Sequence, residues 1–72
     1  MNNLNVAKIQ LNGTPYKINI GTNLNELLNK LKIQKNKVAI EVNGTIVEKN
    51  KYLEHKLNKN DHVEIVHFIG GG

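Results

Sequence analysis

An α+β domain, a mixed sheet of four to five strands with one main helix packed on one face, is what this 72-residue chain predicts. Three observations carry that expectation. Short stretches at 7–11, 16–20, 38–42 and 63–65 alternate apolar and polar residues, the period of a half-buried strand. Asn12-Gly13 and Asn43-Gly44 supply the positive φ angles that tight hairpin turns require. Leu24, Leu27, Leu28 and Leu31 recur at the i, i+3, i+4, i+7 positions of one helical stripe. A chain of this length makes one domain, burying only about 60% of its unfolded surface, so a large internal active-site cavity is not expected.

In chain order, Ile9 and Leu11 face one way in the first strand, with Lys8 and Gln10 facing the other. After the Asn12-Gly13 turn the second strand places Tyr16, Ile18 and Ile20 against Lys17 and Asn19. Pro15 stands at its entrance, where a missing N–H is tolerable. Gly21-Thr22-Asn23 interrupts the strand. Asn23 and Glu26 then have the spacing of an N-cap and its N3 partner, opening the leucine helix. Asn25, Glu26, Asn29, Lys30 and Lys32 form the polar back of that helix, so its leucines cover a sheet. A polar connection over 33–37 leads to a third strand with Val38, Ile40 and Val42 inward and Glu41 outward. The second Asn-Gly turn joins it to a short return strand over 45–47. Residues 48–54 read as a short helical turn, with Tyr52 and Leu53 as its packing residues, and Leu57 is expected in the core. A turn at Asn58–Asp61 precedes the last strand, with Val63 and Ile65 inward. The Asn-Gly-Thr repeat at Asn12 and Asn43 matches the glycosylation sequon, but it reads as two hairpins with the same turn chemistry.

Composition excludes several kinds of chemistry. There is no cysteine, and therefore no disulfide, thiolate metal site or cysteine nucleophile; serine is absent too. His62 and His67 are an odd number of positions apart on one strand and point to opposite faces, which together with the missing cysteines argues against a metal site. The carboxylates are dispersed rather than paired for acid–base work. The net charge is +4 and the basic residues are all lysine. Arginine is the residue of bidentate phosphate and guanine recognition, so its absence, with 4% aromatic content, argues against specific nucleic-acid binding. No signal peptide is recognisable at the start and no apolar run reaches transmembrane length, so a cytoplasmic location is expected.

What remains is the end of the chain. Residues 1–69 are expected to fold and Gly70-Gly71-Gly72 to form a flexible tail. Glycines lack a Cβ and can thread a narrow slot, bringing the Gly72 carboxylate close to another protein's backbone or nucleotide. On the residues alone, a frayed end is the competing reading. Val66 and Phe68 should lie on the sheet face opposite Val63 and Ile65. Beside the tail they read either as a docking patch, with Ile69, or as side chains folded over a sheet edge.

The sequence of strand, Asn-Gly hairpin, capped leucine helix, Val42-Asn43-Gly44, then Leu57, Asp61, Val63 and Ile65 before a terminal glycine run resembles the ubiquitin-like sulfur carriers of the ThiS/MoaD family, which have the β-grasp fold. The ending Val63-Glu64-Ile65-Val66-His67-Phe68-Ile69-Gly70-Gly71-Gly72 is most similar to the ThiS branch, that of thiamine biosynthesis. The similar carrier of molybdopterin synthesis commonly has a proline shortly before its glycines, which this tail lacks. The resemblance implies a protein co-substrate rather than an enzyme. In it, a ThiF-type, E1-like adenylyltransferase uses ATP and Mg to adenylate the Gly72 carboxylate. A sulfur donor such as a cysteine desulfurase then yields a thiocarboxylate, and a ThiG-type thiazole synthase receives the sulfur. Gly70 and Gly71 give access, Val66, Phe68 and Ile69 serve recognition, and the chain binds no cofactor of its own and is a monomer when alone. The third glycine and the basic charge depart from the common pattern of these carriers. The alternatives are a small subunit of the molybdopterin-synthase type, and a non-catalytic, RNA-associated β-grasp binding module, which would tolerate changes to its last residues.

Overall fold

The computed structural model describes residues 5–69. Five strands and one α-helix follow in the order β1 (Val6–Leu11), β2 (Thr14–Asn19), α1 (Leu24–Leu31), β3 (Val38–Val42), β4 (Thr45–Val47) and β5 (His62–His67). Single 3-10 turns at Lys35–Lys37 and Lys49–Lys51 complete the connections. The spatial order of the sheet is β2-β1-β5-β3-β4. Only β1 and β5 run parallel; β1–β2, β3–β4 and β3–β5 are antiparallel. Among the described residues, the strand latest in the chain is therefore the central one, lying between two hairpins. The expected tail at 70–72 lies outside the described residues.

Both hairpins turn through the predicted residues. Asn12 and Gly13 have φ of 49° and 82°, Asn43 and Gly44 have 53° and 86°, the left-handed pairs that match the twist of two-residue hairpins. Pro15 lies opposite Gln10 on the edge strand β2. Its nitrogen points away from the sheet, because the bond from Ile20 N to the Asn5 carbonyl sets the alternation of paired positions along this ladder.

Helix α1 is fixed at both ends. Asn23 Oδ1 accepts from Glu26 N at 2.8 Å and Glu26 Oε1 accepts from Asn23 N at 2.9 Å, a reciprocal capping box. At the other end Lys32 takes a left-handed conformation, φ 59°, and Ile33 N reaches back to the Leu28 carbonyl at 2.9 Å. Leu24, Leu27 and Leu28 are buried. They pack with Ile9, Ile18, Val38, Ile40, Val42, Tyr52, Leu57, Val63 and Ile65 in one core. Burying each leucine stabilises the fold by roughly 1.5–3 kcal/mol. Leu31 is only half-buried, because it lies in the last turn at the rim of the sheet.

Two apolar residues expected to pack inward do not. Ile20 is 58% exposed: β2 ends at Asn19, and the chain turns away at Gly21, so Ile20 lies past the cover of the helix. Leu53 is 69% exposed, whereas its neighbour Tyr52 is buried. Tyr52 caps the 3-10 turn and enters the core, and Leu53, the next residue of the turn that follows, faces away from it.

Candidate interaction site at the end of the central strand

Strand β5 is held from both sides by the side chains of the two hairpin asparagines. On the β1 flank, Asn12 N donates to the Val63 carbonyl at 2.8 Å. Asn12 Oδ1 accepts from Ile65 N at 2.7 Å and Nδ2 donates to the Ile65 carbonyl at 3.3 Å. The carboxamide thus acts as one more peptide unit of β1, continuing the ladder by a step after the main chain has turned off. On the β3 flank, Asn43 N donates to the His62 carbonyl at 2.7 Å and Asn43 Oδ1 accepts from His62 N at 2.8 Å. Asn43 Nδ2 donates to Asp61 Oδ1, while Asp61 Oδ2 accepts from Asn58 N at 2.7 Å. Asp61 is buried, and these partners satisfy it. The repeated Asn-Gly is therefore more than turn chemistry. Each asparagine needs the left-handed conformation to turn and its amide to grip the central strand.

Val63 and Ile65 are buried, as the alternation predicts, and anchor β5 in the core. Beyond them the chain comes out of the domain: Val66 is 54%, Phe68 56% and Ile69 100% exposed. Phe68 N donates to the Lys37 carbonyl at 2.9 Å, so the backbone stays tied to the start of β3 up to this residue. Lys49 Nζ lies 5.2 Å from the centroid of the Phe68 ring, a cation–π contact. The outer face of the sheet is otherwise mixed. Ala39 pairs with Val66, and Glu41 pairs with both Glu64 and Ile46, all on the side opposite the core residues Val38, Ile40 and Ile65. Val66 and Ile46 thus flank two carboxylates directly opposite each other, a like-charge pairing that disfavours burial of this face. Gly70, Gly71 and Gly72 lie outside the described residues.

Among the described residues, no group of histidine, aspartate and glutamate side chains is placed to hold a metal ion. His62 and His67 occupy opposite faces of β5; His67 pairs with the inward Val38. Burial pushes the Tyr52 phenol above its usual range, only partly opposed by a backbone hydrogen bond at Ile40, so it remains protonated in the core. What the described residues bring together here is a central strand held on both flanks, with the exposed Val66, Phe68 and Ile69 at its end. No described helix is long and apolar enough to cross a membrane.

A mixed five-strand sheet with one main helix on one face, the parallel β1–β5 pair at its centre, defines a β-grasp domain. The chain belongs to the ThiS family, whose model matches residues 9–72. It is 39% identical over 66 residues to the sulfur carrier protein ThiS of Bacillus subtilis, covering 89% of this chain and 98% of that one. It is also 45% identical over 65 residues to a thiazole synthase of Magnetococcus marinus; the match covers 90% of this chain but spans only 20% of that protein. The crystal structure of the thiamine biosynthesis protein ThiS from Geobacter metallireducens superposes with a TM-score of 0.79 at 32% identity, covering 90% of this chain and 99% of that one.

Proposed function

We propose that this protein is a sulfur carrier of thiamine biosynthesis, holding the sulfur as a thiocarboxylate on Gly72. The observation that carries the reading is membership in the ThiS family, with a likeness to the Bacillus subtilis sulfur carrier that spans nearly the whole of both chains. The geometry is consistent with it: a strand pinned by Asn12, Asn43, Val63 and Ile65 leads directly into the glycines.

The chemistry follows from the carboxylate. A C-terminal carboxyl has a reference pKa near 3.3–3.7, so at neutral pH it is an anion and a poor electrophile. An adenylyltransferase using ATP and Mg overcomes this: a carboxylate oxygen attacks the α-phosphorus, pyrophosphate leaves, and the acyl carbon now carries AMP as leaving group. The terminal sulfur of a donor persulfide, such as that of a cysteine desulfurase, displaces AMP to give an acyl disulfide; a thiol reductant supplies the two electrons that cleave its S–S bond and release the thiocarboxylate, which a thiazole synthase accepts. Gly70 and Gly71 have no Cβ to obstruct a narrow active-site slot. Val66, Phe68 and Ile69 supply the recognition surface, with Phe68 and Val66 as its apolar anchors.

Incubation with ATP, Mg, the cognate adenylyltransferase and a sulfur source, followed by intact-mass measurement, tests this directly. The expected product is heavier by the replacement of one oxygen with sulfur, localised by fragmentation to Gly72. An unchanged mass with an adenylyltransferase shown to be active would refute the reading.

A further inference from the structure

The two edges of β5 are unequally covered. Along the β3 flank the even-numbered residues bond inward up to Phe68 N, which donates to the Lys37 carbonyl. Odd-numbered residues therefore direct their N–H and C=O groups to the β1 flank. There the Asp61 carbonyl accepts from Gln10 N, the Val63 carbonyl accepts from Asn12 N, and both backbone groups of Ile65 are taken by the Asn12 amide. The next residue on that flank is His67. The β1–β5 pairing extends only over Gln10↔His62 and Leu11↔Val63, and β1 has already turned into β2. Among the described residues the β1–β5 pairing stops before His67, no backbone hydrogen bond reaches His67 on that flank, and its side chain is exposed. Unlike the outer edge of β2, which carries Pro15 and Lys17, this edge has no proline or lysine to block a second strand.

We infer that the β5 edge beyond Asn12 receives an extended segment of the thiazole synthase, the enzyme that in Magnetococcus marinus carries a stretch 45% identical to this chain within its own length, and that this segment pairs with the backbone of His67 and continues the line of β1. The inference rests on the sulfur-carrier reading and adds how the acceptor enzyme holds the arm. Paired at His67, five residues before Gly72, the incoming strand fixes the direction and reach of the glycine arm, because a ladder constrains both strand register and orientation. Side-chain contacts at Val66 and Phe68 leave the arm free to slide along its axis; backbone pairing does not. Asn12 sets the boundary, since its amide fills the last position that β1 itself can supply.

Amide hydrogen exchange on the complex of the full-length chain with its thiazole synthase tests the inference in the native protein. The His67 amide is expected to exchange rapidly in the free chain and to become protected in the complex. Affinity gives an independent reading. His67→Pro removes only an N–H that points away from β3, a substitution an open edge accommodates. Relative to His67→Ala, which keeps that N–H, it is expected to bind about tenfold more weakly. Unchanged exchange at His67 on complex formation, equal affinities of the two variants, or no complex with the wild-type chain would each overturn the inference. So would protection in the free chain accompanied by self-association, which assigns the edge to a second copy. The mass assay separates this from the parent reading: sulfur loaded on Gly72 with His67 still unprotected defeats the docking mode alone.

Discussion

Replacing Asn12 with glycine separates the two roles that this residue plays. Glycine adopts the required φ of 49° at no steric cost but has no amide for Ile65. Asn12→Gly is expected to lower unfolding free energy by about 1–2 kcal/mol, the loss of two partly buried hydrogen bonds. Asn12→Ala should cost about 1 kcal/mol more, because alanine is strained in the left-handed region. Urea denaturation of the three proteins checks both steps. Identical midpoints for Asn12→Gly and the wild type would show that the amide grip contributes nothing. The turn role of Asn12 was legible in the sequence because Asn-Gly reports its own local geometry. The grip was not, since Asn12 and Ile65 are 53 positions apart and only the fold brings them together.

At the scale of the element, α1 was the most readable part of the chain. Its stripe, its cap at Asn23 and the reciprocal Glu26 all depend on residues within a few positions of one another. Its C-terminus is less favourable. Lys32 holds a left-handed conformation that glycine would adopt without strain, while Ile33 N and its half-buried side chain close the turn. Lys32→Gly is therefore expected to stabilise the protein by about 0.5–1 kcal/mol. Thermal unfolding followed by circular dichroism measures this, and a lowered melting temperature would show that the Lys32 side chain contributes more than its backbone costs. The strand alternations were equally legible, but the ends of the elements were not. Ile20 fits the alternation of β2 and is exposed because the helix does not extend over it, and Leu53 is exposed because it faces away from the core that Tyr52 enters.

For the whole molecule, the sheet order sets the stability of the last strand apart from the sulfur loading proposed for Gly72. β5 lies between two strands and over the core up to Ile65, whereas the glycines follow only after the backbone bond at Phe68. Deleting Gly71 and Gly72 is accordingly expected to leave the denaturation midpoint unchanged within error and to abolish sulfur loading in the mass assay. A large loss of stability would show that the glycines belong to the fold rather than extend from it. The lone described ion pair, Lys51 with Glu54 at 3.9 Å, is exposed on both sides and adds little to stability.

The sequence by itself determined which segments are strands, where the hairpins turn, where the helix begins and most of the residues that line the core, Ile20 and Leu53 excepted. Each of these depends on periodicity or on turn and cap chemistry that acts over a few residues. It also placed the glycine run, and through the residues preceding it pointed to the ThiS family. Only the tertiary structure decided that the final strand lies at the centre, that Asn12 and Asn43 grip it from opposite flanks, and that its edge opens at His67. Strand order and side-chain-to-backbone bonds join residues far apart in the chain, and no local pattern encodes which distant partner a buried polar group will find. The same separation holds for Val66 and Phe68. Alternation assigned them a face, but their exposure follows from the helix covering only the other side of the sheet.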